Sequence, residues 1–465
     1  MQNEYKDNVV NIKEYRKLQK QMLKVQFNNF AATDLANYII EEEKEQGSNW
    51  IYVAEDSELW NYNQNRGYWK ITEKDYLLSK IRNYLIEVNK SWDTSHKVKE
   101  VFKAMKSILT DEENYKLMNV SKNKNLDVIN LKNGMFNLKN QTLEEHSYDN
   151  YSQIQIPVEY NPDAKCNKWI QALKDWVPSS NTRKFLQEFI GYCLVPDNSQ
   201  QLALMFLGNG SNGKSKFLEV ISEIFGMENL SSIPLAKLQN KFEIRYVEDK
   251  LVNVCSDIDP TQLESTGQIK SLIHGDTSRA EIKQGKGYDF QPITRFMFSA
   301  NELPRARDKS EGWYRSFEII EFPNSFKKTD RNYDPYIFEK LVKELPGILN
   351  WAIEGLLRYR KNKKFTDSLD FEKQKIEYKK NNDTIAAFVL EHIEKTSNKE
   401  DKIISSKLYE EYKAYCEVES LKPQSRRVFT RGLEKEGIES KSAYIKSENK
   451  NYRCYLGIEY IKQIN

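Results

Sequence analysis

Gly208-Asn-Gly-Ser-Asn-Gly-Lys-Ser215 carries glycine, glycine, lysine and serine at every fixed position of the G-x-x-x-x-G-K-[ST] pattern. Gly208, Gly210 and Gly213 let the backbone turn its N–H groups inward, so that they and the amides of Asn209, Ser211 and Asn212 can cradle phosphate oxygens. Lys214 brings a positive charge to the β and γ end, and the Ser215 hydroxyl is a ligand for Mg2+. The predicted chemistry is binding of a nucleoside triphosphate, with ATP and Mg2+ as cofactors.

Carboxylates are needed next. Ser256-Asp257-Ile258-Asp259-Pro260 ends the apolar stretch Lys250–Cys255. Residues i and i+2 of a strand share a face, so Asp257 and Asp259 can act together on a hydrated Mg2+ if the strand runs that far. A polar turn before proline is the other reading. A two-metal polymerase site would need a third carboxylate, and no segment supplies one. Asn301 follows a third apolar stretch, Ile293-Thr-Arg-Phe-Met-Phe298, where an amide can sense the γ-phosphate or position the attacking water.

Two basic clusters point to nucleic acid. Glu281-Ile-Lys-Gln-Gly-Lys-Gly-Tyr-Asp-Phe290 reads as a β-hairpin with Lys286 at its tip and Lys283 beside it, able to grip phosphates without reading sequence. Near the end of the chain, Pro423–Lys435 reads as a helix with Arg426, Arg427 and Arg431 to one side of Phe429 and Leu433.

These groups need elements to hold them. Gln201-Leu-Ala-Leu-Met-Phe-Leu207 is a continuous apolar run, as in a strand buried on both faces of a parallel sheet. Phe217, Leu218, Ile221, Ile224 and Phe225 then mark one helical face, with Gly226 at the C-cap. The helix N-terminus points at the phosphates, where its dipole favours an anion. Trp169, Leu173 and Trp176, then Phe185, Phe189 and Ile190, give two helices within 165–198. A further helix, Tyr336 to Arg360, is expected to be interrupted at Pro346-Gly347. The fold class is therefore an α/β core with a parallel sheet.

The divisions expected are an α+β domain of unknown role over 1–115, a β-hairpin region and helical collar over 116–198, and an ATPase domain over 199–360. A charged linker over 361–382 leads to a C-terminal unit over 383–465. In that last unit Thr384–Lys395, Ile403–Cys416 and Pro423–Lys435 read as helices, and Ser442–Lys446 with Tyr452–Leu456 as a hairpin. Three helices and a hairpin suggest a winged helix, whose third helix can enter a DNA groove.

The net charge of only +3 over 465 residues means that a nucleic-acid surface must come from local clustering. No stretch approaches the about 20 apolar residues that span a bilayer, and Met1-Gln-Asn-Glu4 does not read as an export signal. Five scattered cysteines form no C-x-x-C pair, which argues against disulfides and zinc and for the cytoplasm.

The motifs, in this order, resemble those of the superfamily 3 helicases within the AAA+ ATPases, and more narrowly the phage, plasmid and poxvirus-type primase-helicases. Gly208–Ser215 matches the first motif, Asp257 the acidic end of the second, Lys270–Arg279 the segment after it, and Ser299–Pro304 the motif whose sensor is Asn301. Glu311-Gly-Trp-Tyr-Arg315 resembles the stretch that supplies an arginine finger to a neighbouring subunit, with Arg315 as the finger and Arg305 and Arg307 as alternates. The likeness covers most of 115–360, with two departures: Ser256 stands where many members have a second acid, and 1–160 do not resemble the N-terminal primase domain of longer relatives.

The resemblance implies a homo-hexameric ring that hydrolyses ATP between subunits and unwinds DNA 3′→5′ in replication initiation. Single-stranded and forked DNA, origin DNA held by the C-terminal unit, and host replication proteins are the implied partners, with no membrane. The rival reading is an ATP-switched origin-binding initiator that does not unwind processively. No acidic triad or zinc-ligand set marks 1–160, so a helicase without primase activity is expected. Size and Lys/Asn/Ile-rich usage are similar to replication initiators of staphylococcal pathogenicity islands and related mobile elements.

Overall fold

The computed structural model describes residues 27, 29–53, 57–110, 125–256, 258, 262–283, 285–330, 333–396, 398 and 400–461. Its first unit joins α1 (Ala32–Glu45), the antiparallel meander β1 (Ser48–Val53), β2 (Glu58–Asn63) and β3 (Tyr68–Ile71), and the helices α2 (Lys74–Val88) and α3 (Ser95–Leu109). Leu77, Ile81 and Leu85 recur every fourth residue on α2, which is why that face is buried against Leu35 and Ile39 of α1 and Val101 and Met105 of α3.

A second meander follows: β4 (Val128–Leu131), β5 (Gly134–Asn137) and β6 (Thr142–Glu144). Leu131 pairs with Gly134, so the turn residues are Lys132-Asn133 and the glycine already belongs to the strand. Helices α4 (Asn167–Trp176) and α5 (Ser180–Tyr192) lead into the central sheet.

That segment runs β7 (Ala203–Leu207), α6 (Lys214–Phe225), β8 (Leu230–Ser231), β9 (Val252–Cys255), α7 (Gly267–His274), β10 (Ser278–Ala280), β11 (Tyr288–Phe290), β12 (Arg295–Ala300), α8 (Glu311–Arg315) and β13 (Phe317–Glu321). Five strands pair in the order β13-β7-β12-β9-β8, every pair parallel. Because side chains alternate along a strand, Leu204 and Phe206 of β7 join the core under α5 and α6, while Ala203 and Met205 join the opposite one with Phe296, Phe298 and Trp313. Both faces are covered, which explains the unbroken apolar run.

Helices α9 (Ile337–Val342) and α10 (Leu345–Asn362) follow. Pro346 lies in the first turn of α10, where its missing N–H costs nothing, so the expected interruption is the start of a helix. α10 packs closely on α5: a Cβ at Gly191 would lie 2.1 Å from the Ala352 carbonyl oxygen, and one at Gly355 2.1 Å from that of Gln187.

The stretch expected as a charged linker, 361–382, holds a docked helix, α11 (Leu369–Asn382). Ser368 caps it, and Phe371, Gln374 and Tyr378 are its buried positions. These anchors at i, i+3 and i+7 lie among lysines and glutamates, which hides the helical period. Lys375 to Glu318 (2.7 Å) and Gln374 to Glu321 (2.8 Å) fasten it to β13.

The C-terminal unit is α12 (Thr384–His392), β14 (Ile393–Lys395), β15 (Lys402–Ile404), α13 (Ser405–Val418), α14 (Arg426–Lys435), β16 (Ser440–Ile445), β17 (Lys450–Leu456) and β18 (Ile458–Tyr460). Ile393–Lys395 and Ile403-Ile404, expected as helix, are strands that pair with β18 and β17. The third helix starts at Arg426 instead of Pro423, because Gln424 is held outside it by the hydroxyls of Tyr409 and Tyr412. Among the described residues no helix is long and apolar enough to cross a membrane.

Candidate nucleotide-binding site

Residues 208–213 form the loop between the carboxyl end of β7 and the first turn of α6. In open α/β sheets ligands bind outside the carboxyl ends of the strands, and this loop stands there beside the end of β12. Gly213, at φ +93°, is where glycine is indispensable: a Cβ would come within 2.4 Å of the Trp176 indole nitrogen. At Gly208 the same atom would collide with the Asn212 amide and the Phe322 carbonyl. Hydrogen bonds fix the rest of the loop, from Asn212 Nδ2 to the Phe322 oxygen (3.3 Å) and from the Phe326 amide to the Ser211 oxygen (2.6 Å).

Lys214 is buried at the first position of α6. Its Nζ donates to the Gly208 carbonyl, to Asn212 Oδ1 at 3.3 Å and to Asn301 Oδ1 at 3.4 Å. Asn301 directly follows β12, whose register beside β7 brings the two strand ends together. The structure thus unites Gly208–Ser215 with Asn301. Asp257 and Asp259 lie outside the described residues; Ile258 between them donates its amide to the Ser299 oxygen of β12 at 2.9 Å.

A cleft of about 450 Å³ opens over the loop. Gly210 to Lys216 and Asn301 line its polar end, and Trp176, Phe326, Pro335 and Ile337 lie among the residues of its wall. Sequence reasoning missed that wall. Trp176 was legible only as a helix-face residue of α4, and nothing in Pro335 or Ile337 announces a cleft formed by a segment far along the chain. The size suits a nucleotide, and the inward loop, the helix N-terminus and the buried ammonium suit its phosphates. Ser215, at the start of α6, would supply the hydroxyl ligand for Mg2+.

Arg315 is not in this cleft. It is exposed at the end of α8, ahead of β13, and the start of β13 pairs with the start of β7. The loop lies at the other end of β7, about 16 Å away for five residues at ~3.3 Å each. Of the alternates, Arg307 pairs with Glu264 at 2.7 Å, and Arg305 is exposed.

The lysine hairpin is present as β10 and β11, in register Ser278↔Phe290 to Ala280↔Tyr288. Lys283 and Lys286 are exposed in the connecting loop, so Ile282, expected in the strand, lies in the turn. On α14, Phe429 and Leu433 are buried while Arg426, Arg427 and Arg431 are exposed.

Three family models match separate parts of the chain. "D5 N terminal like" matches 36–178, "Family of unknown function (DUF5906)" 206–315, and "Poxvirus D5 protein-like" 380–465. Two of the three are D5-like by description, one toward each end of the chain. The D5-like stretches bracket the sheet, and the model of unknown function runs from β7 through the glycine loop and Asn301 to Arg315. A "Putative helicase" of Acanthamoeba polyphaga mimivirus is 22% identical over 320 residues, covering 62% of this chain and 33% of its own. A "Putative helicase" of Invertebrate iridescent virus 3 is 20% identical over 323 residues, covering 62% and 34%. This chain therefore spans about a third of the length of those relatives. Among solved structures, the apo A form of the NrS-1 C-terminal region shares the fold, with a TM-score of 0.51 at 12% identity over 90% of this chain and 98% of that one.

Proposed function

We propose that this chain is an ATP-dependent DNA helicase of the superfamily 3, AAA+ type that acts in replication initiation of a mobile element. The observation that carries the reading is the meeting of Lys214 and Asn301 at the ends of adjacent parallel strands, inside a cleft of nucleotide size. Lys214 and the loop amides hold the phosphates, and Asn301 stands where it can report the γ-phosphate or orient a water. Ser215 and an acidic partner among Asp257 and Asp259 would hold Mg2+, which would supply neutralisation of the phosphate charge.

Arg315, exposed and far from its own cleft, is available to a neighbouring subunit, which favours a homo-hexameric ring in which each arginine completes the next site. Lys283 and Lys286 then line the channel and draw single-stranded DNA, 3′→5′ by family resemblance, from a fork. The C-terminal order of helix, two short strands, two helices, hairpin and a last short strand, with one sheet in the order β15-β17-β16, supports a winged helix that holds origin DNA through Arg426, Arg427 and Arg431. Host replication proteins and the cytoplasm belong to the same reading.

Strand displacement on forked DNA tests it. The wild-type protein should unwind, Lys214→Ala should neither hydrolyse ATP nor unwind, and Lys286→Ala should hydrolyse without unwinding. Equal unwinding by wild type and Lys214→Ala overturns the proposal.

A further inference from the structure

Two residues of α11, one turn apart, each bridge the same pair of segments. The Tyr378 hydroxyl donates to the Pro304 carbonyl at 2.8 Å and accepts from the Trp313 indole N–H at 3.1 Å. The Asn382 amide accepts from the Ala306 N–H at 2.9 Å and donates to the Tyr314 hydroxyl at 3.0 Å. Pro304 and Ala306 belong to the loop that begins at Asn301; Trp313 and Tyr314 belong to the helix that ends at Arg315.

The bridge is built for fixed geometry. Tyr378 and Trp313 are 2% and 0% exposed, so loss of the phenol oxygen would strand a buried indole N–H and a buried carbonyl. The Tyr314 and Tyr378 rings meet edge to face at 5.5 Å. On the far side, Leu263 and Arg305–Arg307 exchange two backbone bonds, at 2.7 and 3.1 Å, so the loop is held from both flanks. Lys379 of the same helix turn bonds Glu311, the first residue of the arginine helix, at 2.9 Å, and Glu436, at the end of α14, also at 2.9 Å.

We infer that Tyr378 and Asn382 are positioning residues for ATP hydrolysis. They set the Asn301 loop and the Arg315 helix in one fixed relation, so the group that reads the γ-phosphate of one site moves together with the arginine offered to the next. The inference rests on the proposed roles of Asn301 and Arg315. Neither α11 residue touches the nucleotide cleft, and their effect passes through backbone placement, where a shift of about 1 Å at a reacting group costs about a hundredfold.

The test separates kcat from KM in the full chain, with ATP turnover normalised to the fraction of protein that binds nucleotide. Tyr378→Phe keeps the ring and removes the bridging oxygen; Asn382→Ala removes the half-buried amide and decides the matter should the first variant fold poorly. Both are expected to lower kcat about ten- to hundredfold, with KM for ATP and nucleotide affinity within threefold of wild type. Wild-type kcat in Asn382→Ala and in folded Tyr378→Phe, alongside an inactive Arg315→Ala, overturns the positioning role and leaves the finger standing. Wild-type kcat in Arg315→Ala instead removes the finger, and the positioning role with it.

Discussion

Lys214 Nζ and Asn301 Oδ1 lie 3.4 Å apart although 87 residues separate them. The parallel register of β7 and β12 makes the contact, because Leu207 and Ala300 pair as the last residues of their strands and each chain then turns toward the same cleft. If Lys214 holds phosphate as proposed, an amide in contact with it is placed to sense what it holds.

Asn301→Ala should therefore lower the ATPase kcat by about a hundredfold, as loss of one preorganised polar group does elsewhere, while nucleotide affinity stays within threefold. Steady-state ATPase assays with equilibrium binding of a fluorescent nucleotide check this. Unchanged kcat would reduce Asn301 to a scaffold contact.

Two glycines of the loop should behave differently. At Gly213 an added Cβ meets the Trp176 indole at 2.4 Å, whereas at Gly210 it meets nothing within 4 Å. Gly210→Ala then carries only the left-handed backbone cost, about 1–2 kcal/mol. Gly213→Ala adds displacement of the tryptophan and should lose nucleotide binding by more than tenfold. Thermal melts with and without ATP distinguish them: ATP should still raise the Tm of Gly210→Ala and should not raise that of Gly213→Ala.

The loop was legible because its chemistry and its supporting elements are contiguous: one buried strand, one glycine turn and one amphipathic helix, all within residues 201–226. The wall formed by Trp176, Pro335 and Ile337 was not, since it arises only when α4 and the start of α9 come together over the loop. α11 was misread because Phe371 and Tyr378 are diluted by charge, and a helix that buries few side chains has the composition of a linker. β14 and β15, three residues each, were absorbed into neighbouring helices because so short a strand has no period of its own.

Glu248 gives a pH signature beside the hairpin. Burial pushes its carboxyl up to about 6, against a hydrogen bond from the Tyr288 hydroxyl of β11 that pulls it down, with Asp249 and Glu58 adding upward pressure. The folded state therefore holds this proton more tightly than the unfolded chain. Its contribution to stability is full below about 4.5 and is lost as pH rises toward 6. Glu248→Gln should flatten that decline, so the wild-type-minus-variant difference in urea midpoint falls between pH 4.5 and pH 7. A difference that rises over the same interval contradicts the assignment.

On α14 the buried side chains Phe429 and Leu433 and the exposed arginines are different residues, so fold and proposed DNA contact can be separated by mutation. Phe429, 1% exposed, stacks on Tyr412 at 4.6 Å, and truncation to alanine should cost about 3–5 kcal/mol of this unit's stability. Arg426, Arg427 and Arg431 face solvent, and Arg426 lies 6.0 Å over the Tyr409 ring. Their replacement should leave the melting temperature within a few degrees. If they contact phosphates, each substitution should lower the slope of log affinity against log salt by about 1. Binding to duplex DNA measured across 50 to 200 mM salt gives that slope. An arginine whose loss weakens binding to one sequence only, with the slope unchanged, contacts bases instead. If the triple variant binds as the wild type does, α14 is not the DNA surface, and the exposed lysines of the β16–β17 hairpin, Lys441, Lys446 and Lys450, become the next group to substitute.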